Sequence, residues 1–202
     1  QGDLILGGDV AFSVHHRPLG EPESAFLAAR GATSEVATLR AMARRDDGTA
    51  VLVEAKAVDA AYPLTGRLRA TTTTDPARVE AATVDGRALL AATGEGEARV
   101  YGALVEDTLL ARLGAALGDV VTIGTARFRL AGVIVDEPDR LSSGIGFAPR
   151  LLMSRPALEA SGLLAPGSLV RWHTRLKLPP GGDPAATIAA AKAAFPAAGW
   201  EI

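Results

Sequence analysis

Residues 170–178 constrain the fold more than any other stretch of this sequence. Val170, Trp172, Thr174, Leu176 and Leu178 share one parity, while Arg171, His173, Arg175 and Lys177 share the other. Successive side chains of a strand point to opposite faces, so this alternation requires a sheet with one buried and one solvated side. Pro179-Pro180-Gly181-Gly182 ends the run. Asp183 then caps a helix that has Pro184 at its first position, carries Ile188 and Phe195, and stops before Pro196.

The N-terminal part repeats the pattern. Val10, Phe12 and Val14 alternate with polar residues, and a short helix over 23–30 follows, preceded by Pro22 and ended by Gly31 as a permissive cap. Segments 36–44 and 50–58 alternate again around Asp46-Asp47-Gly48, which supplies hairpin turn chemistry. Tyr62-Pro63 and Gly66 break the ladder, because proline has no N–H to donate. A domain crossing is placed there.

The middle of the chain has a different texture. Thr71 to Thr74, Gly86, Gly94 and Gly96 punctuate short strands. Val105, Leu109, Leu113 and Leu117 recur every fourth residue and predict an amphipathic helix that Gly114 interrupts. A hairpin follows, with strand 120–123, a turn at 124–126, and Phe128, Leu130, Gly132 and Ile134 lining one side of the return strand. Asp136-Glu137-Pro138-Asp139 ends it and is expected to be a solvated strand end. The Ser-Gly-rich stretch 142–146 reads as a second crossing. Residues 150–153 then form a strand and 156–161 a helix, stopped by Gly162.

Composition narrows the functional classes. The chain has 202 residues, of which 48% are hydrophobic and 22% charged, so it can bury a core. A formal charge of -2, with no basic run, removes the electrostatic case for nucleic acid. Without cysteine there is neither disulfide nor thiolate metal site. The longest uncharged stretch, 160–170, is far short of the roughly 18 apolar residues of a spanning helix. No basic segment followed by an apolar run marks a signal peptide.

No motif brings catalytic chemistry. His15, His16 and His173 lack the i, i+4 helical spacing of a zinc protease, and His15 and His173 fall on the polar faces of strands. The acidic cluster at 136–139 lacks calcium-loop spacing. No serine sits in a G-x-S-x-G elbow, and Ser142-Ser143-Gly144 has no local base. Gly7-Gly8 precedes a strand where a nucleotide fingerprint must follow one, and Gly144-Ile145-Gly146 lacks a third glycine at the required spacing. No enzyme activity, metal or cofactor is expected.

A series of segments nevertheless resembles one family. Gly118-Asp119-Val120-Val121-Thr122-Ile123-Gly124, then Phe128-Arg129-Leu130-Ala131-Gly132-Val133-Ile134 after a helix over 106–113, is similar to the hairpin of MacB/FtsX-type ABC transporter permeases. Gly7-Gly8-Asp9-Val10, Lys56-Ala57-Val58-Asp59 leading to Tyr62-Pro63-Leu64, Glu137-Pro138-Asp139-Arg140 and Ala148-Pro149-Arg150-Leu151-Leu152-Met153 resemble the YbbP-like branch, associated with lysophospholipase or ester-lipid metabolism. The departure is Leu130, where valine is commoner.

The resemblance implies the periplasmic domain of an inner-membrane permease, placed between two transmembrane helices that lie outside this chain. It implies an α+β fold: a porter-like β-α-β subdomain from residues 1–66 and 141–202, with a mostly-β Sabre-like subdomain, 67–140, inserted between. Turn chemistry placed the crossings near 62–66 and 136–146 independently. The implied function is non-catalytic, coupling ATP-driven transmembrane motion to export or extraction of a lipid-like or hydrophobic cargo. The implied partners are a cognate ABC ATPase subunit, a second permease copy, and a periplasmic protein or lipid. The alternative is a substrate- or partner-binding module, with Leu141, Ile145 and Phe147 as its candidate contacts because a Gly-Ser-rich loop poorly explains apolar residues.

Overall fold

The computed structural model describes residues 10–140 and 148–202. Ten strands and four helices follow in the order β1 (Val10–His15), α1 (Glu21–Ala28), β2 (Ala32–Arg44), β3 (Ala50–Val58), β4 (Arg69–Thr71), β5 (Thr83–Asp85), β6 (Val100–Val105), α2 (Asp107–Leu113), β7 (Val120–Ile123), β8 (Ala126–Asp136), β9 (Arg150–Ser154), α3 (Arg155–Ala160), β10 (Arg171–Lys177) and α4 (Pro184–Ala194). Two 3-10 turns, Gly86–Leu90 and Gly96–Ala98, lie between β5 and β6.

All strands join one mixed sheet, ordered β1-β10-β2-β3-β9-β6-β8-β4-β5, with β7 pairing both β2 and β8. β10 enters between β1 and β2 and is antiparallel to both. The β1-α1-β2 unit is therefore a split crossover, closed by a strand from the far end of the chain. β9 is parallel to β3, and β6 is parallel to β8. Helices cover parts of this sheet without alternating regularly with its strands, which makes the fold α+β and sheet-dominated.

The expected parity holds on the apolar side. Val10, Phe12 and Val14 of β1 and Trp172, Thr174 and Leu176 of β10 are buried. Phe12, Leu27, Leu176 and Ala191 form one cluster with α1 and α4. A larger cluster joins Leu39, Ala55, Leu109, Phe128, Leu130, Met153 and Trp172, so strands from both ends and from the middle share one core. Helix α2 packs on β3, and Arg45, at the tip of the β2–β3 hairpin, donates to the Leu113 and Gly114 carbonyls at its C-terminus. Gly114 ends that helix in the left-handed conformation, at φ 61°.

Several sequence expectations need correction. Val105 belongs to β6 and not to the helix, because the whole segment Val100–Val105 is buried and runs between β8 and β9. Within it, Gly102 is needed for close approach, since a Cβ there would lie 1.8 Å from the Leu89 carbonyl oxygen. The first helix begins at Glu21, with Pro22 inside its first turn. Gly31 is not a left-handed cap; a Cβ at that position would meet the Lys177 carbonyl oxygen at 2.1 Å. Phe195 caps the last helix and is not part of it.

Asp183 caps α4 as expected, its Oδ1 accepting from Ala185 N at 2.9 Å and Ala186 N at 3.3 Å. Asp183→Ala should lower stability by about 1 kcal/mol, read as a lower denaturant midpoint at unchanged slope. An unchanged midpoint would mean that the cap does not hold this helix.

Candidate functional site

β3 carries a buried lysine among the buried apolar residues Val53, Ala55, Ala57 and Val58. Lys56 lies on the same sheet face as Thr38 of β2 and is 5% exposed. An ammonium can be kept there only with its donors satisfied. The chain leaving β8 lays Glu137 and Asp139 over it, so that Lys56 Nζ reaches Glu137 Oε1 at 2.8 Å, Asp139 Oδ1 at 2.6 Å and the Tyr62 hydroxyl at 3.2 Å. All three ammonium protons are used. The Tyr62 hydroxyl donates to Asp139 Oδ1 at 2.5 Å, and Arg150 of β9 pairs with Glu137.

Tyr62 is itself positioned by Asp59. That carboxylate accepts from Ser34 Oγ at 2.8 Å and Glu35 N at 2.7 Å on β2, and from Tyr62 N at 3.1 Å. The cluster thus ties β2, β3 and β9 to the segment that leaves β8. Burial pushes the Tyr62 phenol up, and the adjacent Asp139 carboxylate adds to this. Burial alone would raise the Asp139 carboxyl, but the Lys56 charge and hydrogen bond, the Tyr62 hydrogen bond and Arg175 hold it below the usual carboxylate value.

This overturns the expectation of a solvated strand end, since Glu137 and Asp139 are buried. In the sequence these residues, with Lys56, Asp59, Tyr62 and Arg150, lie in separate segments that share no local pattern. The available signal was a lysine flanked by alanines, Ala55-Lys56-Ala57, with the acidic run 136–139 elsewhere in the chain. Leu141, Ile145 and Phe147 lie outside the described residues.

Beside the cluster, a cleft of about 790 Å³ opens over the polar face of β10, β2 and β3. Arg171, His173 and Arg175 border it from β10, and Lys56 and Asp139 connect it to the buried cluster. Arg175 was expected on a solvated face but is 7% exposed. His173 is half-buried, with Nδ1 2.8 Å from Ser13 Oγ and Nε2 3.3 Å from Thr38 Oγ1. Burial, with Arg171, Arg175, Lys56 and His15 nearby, pushes its imidazole down to about 4. His15 and His16 are exposed beside the end of β10, His15 opposite Arg171 and 3.6 Å from Glu201, and His16 with its backbone N–H donating to the Val170 carbonyl.

Two solved extracytoplasmic domains share this fold. One is the extracellular domain of the noncanonic ABC-type transporter YknZ from Gram-positive bacteria, with TM-score 0.50, 10% identity, and coverage of 90% of this chain and 88% of that one. The other is the periplasmic region of MacB from Actinobacillus actinomycetemcomitans, with TM-score 0.51, 10% identity, and coverage of 97% and 88%. These likenesses establish the fold.

The chain belongs to the MacB-like periplasmic core domain family, whose profile matches residues 13–194. It is similar to the uncharacterized ABC transporter permease YbbP of Escherichia coli K12, 32% identical over 125 residues. That match spans 62% of this chain and 13% of the relative's length. The chain is thus a periplasmic domain of the ABC-permease type, extracytoplasmic and belonging to an inner-membrane protein.

Proposed function

We propose that this domain is non-catalytic and transmits ATP-driven movement of flanking transmembrane helices to the export or extraction of a lipid-like or hydrophobic cargo. In this reading a cognate ATPase supplies the work, and a second permease copy completes the transporter. The observation that carries the reading is the pairing of Ser13 with Glu201, through backbone bonds of 2.8 Å in both directions. It brings the two ends of the described chain to one edge of the sheet, where a pull from two helices would act together.

Residues 67–140 are proposed to form an inserted subdomain at the other end of the sheet. Among the described residues, strand pairing between the two parts runs through Leu104↔Leu152 and Val105↔Leu151 in one place and Ala43↔Ile123 and Arg44↔Thr122 in the other, with further backbone bonds from Glu106 N to the Arg150 carbonyl and from Thr125 N to the Ser161 carbonyl. The buried cluster around Lys56 and the shared core reinforce that seam, so a force on the edge reaches the inserted part without being dissipated.

The test is mechanical. Flexible Gly-Ser segments inserted between this domain and both flanking helices of the full-length permease should leave ATP hydrolysis within twofold while lowering transport at least tenfold. Transport that survives the insertions would overturn the coupling role. It would favour the second reading, a substrate- or partner-binding module, which the cleft beside β10 supports.

A further inference from the structure

We propose that the cleft over β10, β2 and β3 binds an anionic group of the phosphate class, held by Arg175 and Arg171 on either side of His173. This goes beyond the coupling reading and does not depend on it.

The starting point is Arg175. It is 7% exposed, and its Nη1 is the one buried side-chain nitrogen or oxygen without a hydrogen-bond partner among the described residues. An unpaired donor on a buried cation is costly, and native structures avoid it unless something else meets it. The nearest acid does not. Asp139 Oδ1 is committed to Lys56 and Tyr62, and Asp139 acts on Arg175 through space only.

The surrounding charges point the same way. Lys56 and Arg150 are answered by Glu137 and Asp139, and Arg40 stands directly opposite Glu54 across β2 and β3. Arg171 and Arg175, two residues either side of His173 on one face of β10, make no ion pair among the described residues, Asp139 reaching Arg175 only through space. The same cations, after burial, hold the His173 imidazole neutral well below its ordinary value. A bound anion would relieve that repulsion. Guanidinium forks approaching from two directions suit a tetrahedral oxyanion. The mixed lining includes Leu163 and Leu169, the latter 81% exposed, so the group could arrive free or on an apolar tail.

The experiment titrates the domain with inorganic phosphate, with dodecyl phosphate below its micellar concentration, and with dodecyl maltoside, following heat and the His173 imidazole resonances. Saturable binding of dodecyl phosphate is expected, weakened at least tenfold by Arg175→Gln and by salt, with the His173 pKa rising by about one unit or more on binding. Equal binding of inorganic phosphate assigns the site to the free anion, whereas binding of dodecyl phosphate alone assigns it to an amphiphile.

Arg175→Met should abolish binding while raising Tm by about 2–4 °C, because it removes an unsatisfied buried cation. No saturable binding of either phosphate overturns the proposal. So does equal binding of dodecyl maltoside with no effect of Arg175→Gln, or a His173 pKa that does not move.

Discussion

Lys56→Met should destabilise the domain by about 3–5 kcal/mol, because it leaves buried acid without its counter-ion. For a chain of this size that corresponds to a fall in Tm on the order of 10 °C. The asymmetry of the cluster makes the prediction specific. Glu137 would keep Arg150, but Asp139 would keep only the Tyr62 hydroxyl at hydrogen-bond distance. Adding Asp139→Asn to Lys56→Met should therefore recover much of the loss, since an amide oxygen can still accept from Tyr62. The coupling between the two sites, from a double-mutant cycle in chemical denaturation, should exceed about 1 kcal/mol. A loss below about 1 kcal/mol in the single variant would show that the cluster does not hold the seam.

The second large effect is with pH. The unfolded His173 imidazole takes up its proton as pH falls through 6.5, whereas the native one stays neutral until about 4. Between those values the unfolded state binds more protons, so stability is fully present above pH 6.5 and falls progressively toward pH 4. The depression corresponds to at most about 3 kcal/mol, and partial exposure of the ring reduces this to about 2 kcal/mol. Denaturant unfolding across pH 4–7 should show this slope in the native sequence, and His173→Gln should flatten it. Parallel profiles for the two would assign the pH response to other groups. Below that range Asp139 adds a further loss, because its native carboxyl is held below the unfolded value and the ion pair with Lys56 fails as it is protonated.

The contrast between β10 and β6 explains how much of the fold was legible in the sequence. β10 has one apolar face, so period two reveals it along with its register. β6 is buried on both faces and shows no alternation, so its apolar residues read equally well as the start of the following helix. The hairpin of β7 and β8, and the helix caps at Asp183 and Gly114, were legible because turn and cap chemistry is local.

The site was harder to read for the same reason in reverse. Lys56 and Asp139 are 83 residues apart, and no local signal states that a charge at one position answers a charge at the other. Parity places Arg175 on the polar face of β10 and so predicts it solvated, but parity says nothing about a segment such as 137–139 and Tyr62 folding over that face and burying it.

The position of β10 between β1 and β2 also governs the order in which this domain can be assembled. Ser13 and His173 meet across 160 residues of chain, and β2 has its β10 partner only when that distance is closed. Closing such a loop forfeits much chain entropy before any pairing offsets it, so this step is slow relative to local hairpins. β7 with β8, and β2 with β3, can form while β1 and one edge of β2 still wait as open strands. Until that step is complete, those edges are the part of the molecule most exposed to wrong partners.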